Sequence, residues 1–238
     1  YTLCYNEMKI IPFAVDYWKT IADEVFVLDN NSTDGSAEYL EKIPNVHVIR
    51  FSTDGFNDAV HKGLKNEVWK SSRGKADFVV VCDLDEFMYS EEGIRGVLQK
   101  MKTGGFTICK PRGYDMVSKT FPQKDDRLLW EQCGMGVPDS SFNKVTIFNP
   151  NEIDEIRYGP GAHHCSPTGN VKWYDGNDVL LLHYKHLSLD YVLNRYREYD
   201  ARMSKINREK KWGVQYSYPE TKIVNIFNNK LNASEQII

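Results

Sequence analysis

Residues 78–87 read Phe-Val-Val-Val-Cys-Asp-Leu-Asp-Glu-Phe, an apolar run that passes directly into three carboxylates. The apolar residues predict a strand that is buried on both faces. Alternation along a strand places Asp83 and Asp85 on one face and turns Glu86 away from them. Two adjacent carboxylates at the end of a buried strand repel each other unless they take up a proton or share a cation. Because open α/β sheets bind ligands at the carboxyl ends of their strands, the stretch predicts a Mg²⁺ or Mn²⁺ site that holds a phosphorylated ligand.

The residues before this stretch alternate between strand-like and helix-like patterns. Apolar runs predict strands, and the segments between them carry apolar residues at helical spacing. The predicted order is strand 2–5, helix 10–20, strand 24–28, helix 36–42, strand 46–51, helix 56–71 and then the strand that ends at the carboxylates. Short connections between such elements are typical of parallel strand–helix–strand units with right-handed crossovers. Residues 1–100 are therefore predicted to form a Rossmann-like, nucleotide-binding half.

The rest of the chain follows a different pattern. Short β-prone pieces at 106–110 and 144–148, broken by Gly, Pro and Asp, predict a mixed or antiparallel extension. Residues 179–184 predict a strand, and 188–211 predict one long helix with Ser188 as its N-cap. The predicted fold class is therefore α/β, with a mixed, mainly parallel sheet flanked by helices and a C-terminal helical tail.

Composition and charge exclude several classes of protein. A net charge of -3 argues against a dedicated nucleic-acid binder, which would carry a basic excess. The five cysteines include no CxxC pair, and Cys4 and Cys82 lie in apolar runs, which indicates buried thiols in a reducing compartment. There is no signal peptide and no apolar run near the roughly 20 residues that span a bilayer. We expect a cytoplasmic protein, whose basic last helix leaves open a peripheral contact with anionic lipid.

Polar residues also follow the first two predicted strands. Asn6 and Glu7 follow the first strand, and Asp29 and Asn30 follow the second, leading into Asn-Ser-Thr-Asp-Gly. These side chains suit a base edge or ribose hydroxyls, and the free amides of the following helix suit an anion. The same residues are also ordinary turn and cap residues, so both interpretations stay open.

The order and spacing of these motifs resemble the GT-A glycosyltransferases, most closely the family 2 type and the bacterial relatives whose metal motif reads Asp-x-Asp-Glu-Phe. The resemblance is clear over about residues 2–90. It continues more loosely through 144–150, 161–164, 182–185 and Ser188. It implies a divalent cation, Mn²⁺ or Mg²⁺, and transfer of a sugar from a nucleoside diphosphate donor, UDP-linked, to a glycan or lipid-linked acceptor. Inversion at the sugar and a place in bacterial surface-polysaccharide biosynthesis would follow.

The resemblance also implies a division of the chain. Residues 1–187 would be the GT-A-like catalytic domain, with a nucleotide-binding half at 1–100 and an acceptor and metal half at 101–187. Residues 188–238 would be a C-terminal helical extension. The oligomeric state is left open, and no nucleic-acid partner is expected.

The resemblance implies roles for the nucleotide side of the site, residue by residue. Asn6 and Glu7 would lie near the nucleotide. Asp29 would contact uracil or ribose, with Asn30 beside it. This chain has Asp-Asn-Asn where many members have Asp-Asp-Gly, so the side chain that reads the base is left open.

The metal site is implied in the same way. Asp83 and Asp85 would be the metal-binding pair, with Asp83 also reaching the ribose or a metal-bound water. His183, with His186 as the second choice, would be a third protein ligand. A divalent ion that bridges the diphosphate oxygens would act as a Lewis acid on the charge of the leaving group.

An inverting enzyme also needs a general base for the acceptor hydroxyl. In GT-A enzymes this carboxylate follows the metal motif, and in this chain the acidic residues near Leu128-Leu129-Trp130 are the candidates. Asp126 and Glu131 are our predicted catalytic residues, although no Glu-Asp pair stands there. Lys144 has two interpretations, a phosphate contact or an ordinary surface lysine.

Three other classes of protein compete with this interpretation. A metal-dependent phosphatase with Asp-x-Asp after a buried strand normally has that motif near the start of the chain, and Thr or Val where Phe87 stands. A nucleotidyltransferase would carry an early Gly-rich basic loop, which residues 2–15 lack. A non-catalytic nucleotide-sugar or glycan-binding module would keep the fold without needing the carboxylate pair.

Overall fold

Parallel strands joined by helices make up the first part of the fold, and mostly antiparallel strands make up the second. The computed structural model describes all of residues 1–238. The strands are β1 Thr2–Cys4, β2 Val25–Asp29, β3 Val46–Arg50, β4 Val79–Val80, β5 Glu86–Tyr89, β6 Ile108–Cys109, β7 Arg112–Val117, β8 Met135–Pro138, β9 Ile147–Phe148, β10 Ile153–Glu155, β11 Thr168–Gly169, β12 Trp173–Tyr174, β13 Leu180–His186 and β14 Glu235–Gln236. The α-helices are α1 Ile11–Ile21, α2 Ser36–Leu40, α3 Asp58–Glu67, α4 Ile94–Gly104, α5 Leu129–Gln132, α6 Leu189–Ala201, α7 Lys205–Lys210 and α8 Glu220–Ala233. Short 3₁₀ helices lie at Val68–Ser72, Ser140–Phe142, Pro160–Ala162, Gly176–Asp178 and Val214–Ser217.

The first sheet is parallel, as the sequence predicts. It has the order β1-β2-β3, and Asp29 at the carboxyl end of β2 is in register with Cys4 and Arg50. The backbone of Tyr1 connects β1 to β4, because its nitrogen donates to the Val80 carbonyl (2.7 Å) and its carbonyl accepts from Cys82 (3.2 Å). Beyond β4 the hydrogen-bonded order continues through β9, β6 and β12. Helices connect the parallel strands, so the predicted α/β fold is confirmed.

A second sheet carries the residues that follow the acidic motif. Its order is β14-β8-β7-β13-β5, with β13 between β5 and β7. In register, His183 on β13 faces Glu86 on the antiparallel strand β5 and Asp115 on the parallel strand β7. This pairing brings residues distant in sequence to one place beside the Asp83–Asp85 turn.

Helix α1 fixes the start of β5 through a buried tyrosine. The ring of Tyr17 stacks on Phe87 with the centroids 4.6 Å apart, and its hydroxyl accepts a hydrogen bond from the Met88 amide (2.8 Å). A buried amide that loses its acceptor bears the full cost of its desolvation. The contact therefore anchors the strand that immediately follows the acidic motif.

We expect Tyr17→Phe to lower the free energy of unfolding by about 1–3 kcal/mol, because the Met88 amide would be left without a partner. Urea unfolding monitored by tryptophan fluorescence measures this. Tyr184→Phe is the matched control, since the Tyr184 hydroxyl is buried and has no hydrogen-bond partner to lose. Equal destabilisation of the two variants would show that the hydrogen bond to Met88 contributes nothing.

The prediction of one long helix over residues 188–211 is wrong. The structure has α6, which ends at Ala201, and α7, which begins at Lys205. Between them Met203 forms a parallel bridge with Phe56, and the Ser204 side chain accepts from the backbone amide of Asn207 to cap α7. The tertiary contact with Phe56 overrides the helical periodicity of the segment.

The state of the cysteines and the apolar character of the helices can be compared with the predictions of buried thiols and of no membrane-spanning segment. All five cysteines are free thiols, and every one but Cys165 is buried. Burial raises the pKa of Cys82 and Cys109 to about 12, so neither is a reactive thiolate at neutral pH. None of the helices has the length and apolar character that crossing a bilayer requires.

Candidate active site

A cavity of about 930 Å³ lies at the edge of the first sheet where the strands end. Residues that follow the first three strands line it, with Tyr5 after β1, Asn30 after β2 and Phe51 after β3. Its other walls come from β13, α6 and the loop around Ser140–Phe142. Its volume is typical of a small-molecule site, and its position is where open α/β sheets bind ligands.

The acidic motif lies in a turn between β4 and β5 and not within a strand. The Asp83 carbonyl accepts from the Glu86 amide (3.1 Å), and the Asp83 amide donates to the Glu86 carboxylate (3.0 Å). Lys144 contacts both carboxylates, at 3.4 Å from Asp83 and closer to Glu86. The prediction that Glu86 points away from Asp83 is therefore wrong, because the turn interrupts the strand alternation on which it depended.

Two buried lysines hold the Asp83 carboxylate. The Nζ of Lys65, from α3, lies 2.5 Å from Oδ1, and the Nζ of Lys144 lies 3.4 Å from Oδ2. Burial raises the pKa of Asp83, but the two ammonium groups outweigh it and hold that pKa well below its usual range. Lys144 is thus a buried partner of the motif and not a surface lysine. The sequence does not predict a role for Lys65, because the helical pattern of α3 gives no indication that an acidic partner lies distant in the sequence.

Asp85 faces a different set of groups. Its Oδ2 lies 3.7 Å from the Nε2 of His183 and 3.9 Å from the guanidinium of Arg195, which also pairs with Glu7. Burial lowers the pKa of His183 to about 3 despite the nearby Asp115 carboxylate, so the imidazole is neutral at physiological pH. Burial also raises the pKa of Asp85, against the attraction of Arg195.

The residues at this turn fit a divalent ion in part. The side chains contain no group of three or more His, Cys, Asp or Glu placed to hold a metal, and Asp83 is engaged by its lysines. Asp85 and His183 do fit in chemical type, because a carboxylate oxygen and a neutral imidazole nitrogen are both ligands of divalent ions, and the two atoms lie 3.7 Å apart. Mg²⁺ is commonly held by one or two carboxylates, with substrate phosphates and water completing its coordination.

Two of the five predicted nucleotide contacts, Asn30 and Asp83, line the cavity. The amide of Asn30 donates to the Thr53 hydroxyl (2.8 Å). Asp29 is fully buried, and one of its oxygens accepts from the Ser32 amide (3.1 Å). The other oxygen of Asp29 has no partner within the chain.

Asn6 and Glu7 are bound to the C-terminal extension. The amide of Asn6 donates to Glu198 (2.6 Å), and Glu7 pairs with Arg195. Burial raises the pKa of Glu7 to about 7, with the Arg195 charge opposing it. These side chains therefore hold α6 against the end of β1 and do not line the cavity.

The helices that follow β13 form one wall of the cavity. Arg202 lies over the ring of Tyr5, 3.0 Å from its centroid, and the Asn207 side chain exchanges hydrogen bonds with Asp58 at 2.9 and 3.0 Å. The basic character of this segment left open a peripheral contact with anionic lipid. Arg195 and Arg202 instead face the ends of the parallel strands.

The predicted general bases lie elsewhere. Asp126 and Glu131 are exposed, and neither lines the cavity. Glu131 accepts a hydrogen bond from the Leu128 amide (2.6 Å), so its carboxylate caps α5. The structure brings Asp83, Asp85 and His183 together, and it brings neither of these two acids to them.

The parallel strands β1–β3, the helices that connect them and the mixed sheets beyond them are consistent with the GT-A fold of glycosyltransferases. The chain matches the family model described as Glycosyl transferase family 2 over residues 2–168, which is more than half of its length. It therefore belongs to glycosyl transferase family 2. No curated protein matches the chain. His183 and all of α6 lie beyond the matched residues.

Proposed function

We propose that this glycosyltransferase is metal-dependent and moves a sugar from a UDP-linked donor to a glycan or lipid-linked acceptor. The observation that carries the proposal is the Asp85–His183 pair, 3.7 Å apart, in a cavity that also exposes the cations around Asp83. A nucleoside diphosphate needs both kinds of group, since its oxygens bind ammonium or guanidinium groups and share a divalent ion.

Different residues would bind the nucleoside and the diphosphate of the donor. Asn30 lines the cavity and would face the nucleoside, whereas the fully buried Asp29 would hold the loop that follows β2 through its hydrogen bond from the Ser32 amide. Lys65 and Lys144 lie at the diphosphate end, where their charges stabilise the departing group. Asp85 and His183 would hold Mn²⁺ or Mg²⁺, which supplies Lewis-acid stabilisation to the same diphosphate.

The remaining parts of the proposal follow from the resemblance to the bacterial relatives. They are inversion at the anomeric carbon, a role in surface-polysaccharide assembly on the cytoplasmic side, and the division into a catalytic domain at 1–187 and an extension at 188–238. Contacts of Arg195 and Asn207 with the first half support an extension that completes the donor cavity.

A thermal-shift screen with and without Mn²⁺ tests the donor. We expect one UDP-sugar with Mn²⁺, at about 100 times its Kd, to stabilise the protein by about 2.7 kcal/mol. For a chain of this size that is a rise in Tm of roughly 5–10 °C. Either component alone should give a much smaller shift, because each completes the binding site of the other.

Two results would contradict this function. Stabilisation by a nucleotide sugar that needs no metal, without release of UDP when acceptors are added, would indicate a non-catalytic binding module. Release of inorganic phosphate from sugar phosphates, without transfer, would indicate a phosphatase. Both assays use the full chain and differ only in the substrate supplied.

A further inference from the structure

Another imidazole that lines the cavity, that of His186, lies close to His183. His186 lies at the end of β13, and its Nδ1 is 2.8 Å from Oδ1 of Asp115 on β7. Both side chains are almost fully buried, at 4% and 2% exposure. The same Oδ1 of Asp115 is 3.9 Å from Nδ1 of His183, so His186 lies one side chain away from the Asp85–His183 pair.

Asp115 determines which nitrogen of His186 is free to act. A carboxylate only accepts hydrogen bonds, so Nδ1 must carry the hydrogen and Nε2 of the neutral ring keeps its lone pair. That Nε2 has no hydrogen-bond partner in the chain. The other oxygen of Asp115 pairs with Lys230 of α8 at 2.6 Å, so both oxygens are held and the carboxylate cannot rotate away.

His186 is not placed as a ligand of the proposed ion. Asp115 is the only carboxylate within 4.0 Å of it, whereas His183 is the imidazole beside Asp85. Five histidines line the cavity, and two of them contact buried carboxylates: His183 lies beside Asp85, and His186 lies beside Asp115. A carboxylate-oriented imidazole with a free Nε2 is the arrangement of a general base.

We propose that His186 is the general base of the transfer reaction and that Asp115 is its positioning residue. The inference rests on the proposed function. The proton of the acceptor hydroxyl passes to Nε2 as the acceptor oxygen forms a bond to the anomeric carbon. The bond between that carbon and the diphosphate oxygen breaks, and its electron pair leaves with UDP. Asp115 stabilises the imidazolium, and the exposed Asp126 and Glu131 have no part in the step.

Two measurements on the His186→Gln variant test this role of His186: the steady-state rate of sugar transfer and the binding of the donor nucleotide. We expect kcat to fall by about 10²–10⁴-fold, since glutamine cannot take up a proton. The Tm shift produced by UDP and Mn²⁺ should stay at its wild-type value, because the donor site is intact. His47→Gln is the matched control: it removes an exposed imidazole paired with Glu24, outside the cavity, and should leave kcat unchanged.

Chemical rescue separates a base from a structural contact. In His186→Ala, added imidazole should raise kcat at least tenfold, and it should have no effect on the wild-type protein. A His186→Gln variant within threefold of wild type, a loss of the donor-induced Tm shift, or an absence of rescue would each overturn the proposal. If the wild-type protein transfers no sugar, both the proposed function and the role of His186 are wrong. If the wild-type protein is active and the His186 variants are equally active, only the role of His186 is wrong.

Discussion

Asp85→Asn is expected to lower kcat by at least about 10³-fold while leaving the protein folded. Its carboxylate lies 3.7 Å from His183 and has no lysine partner, unlike Asp83. An amide has nearly the same shape but is a far weaker ligand for a hard divalent cation. Burial raises the pKa of Asp85, so ionising this residue costs the folded state free energy. A neutral amide therefore should not reduce stability.

The measurement is turnover of the UDP-sugar across a Mn²⁺ titration, with urea unfolding alongside. Asp126→Asn is the matched control, since it removes an exposed carboxylate that lies outside the cavity, and it should stay within twofold of wild type. The assignment of Asp85 would be wrong if its variant kept more than about a tenth of wild-type turnover at saturating Mn²⁺. Loss of activity together with a large loss of stability would instead indicate a structural role.

The strands and helices of the first half of this fold can be predicted from the sequence, because each is determined by the pattern of residues within its own segment. Apolar runs of strand length alternate with helical periodicity up to residue 80, and each predicted element is present. For the same reason the apolar run locates the acidic motif at the carboxyl edge of the sheet. It does not locate Glu86, because a turn at Leu84 and Asp85 replaces the end of the strand and brings Glu86 back beside Asp83.

The acidic partners of the site's cations could not be predicted, because each cation reaches the site from a distant element. Lys65 comes from α3, Lys144 from the segment before β9 and Arg195 from α6. Nothing in their local sequence distinguishes them from the solvated lysines and arginines nearby. Only the folded chain shows that their partners are Asp83, Glu86 and Glu7.

The proposed general base also could not be predicted from the sequence. The acidic residues near Leu128-Leu129-Trp130 include the predicted bases Asp126 and Glu131, which the fold leaves on the surface. Asp115 and His186 are 71 positions apart, and only the parallel pairing of β7 with β13 brings them together. Strand pairing of this kind depends on the whole topology, so a single sequence does not reveal it.

The buried Lys144–Glu86 pair should dominate the stability of the site. Both side chains are nearly inaccessible, at 4% and 1% exposure, and Lys144 also contacts Asp83. Burial lowers the pKa of Lys144, but the attraction of Glu86 and Asp83 outweighs it and holds that pKa above its usual range. We expect Lys144→Met to lower the free energy of unfolding by about 3–5 kcal/mol, because it leaves the Glu86 charge buried without its partner.

Lys144→Met combined with Glu86→Gln identifies the cause of that loss. The double variant buries no unpaired charge, so it should recover most of the lost stability, as replacement of both members of a buried ion pair often does. Lys100→Met is the control, since it breaks an exposed pair with Glu92 and should cost no more than about 1 kcal/mol. Urea unfolding of the four proteins, wild type included, provides the comparison. If the double variant were no more stable than Lys144→Met, the loss would come from the packing of Lys144 and not from the charge of Glu86.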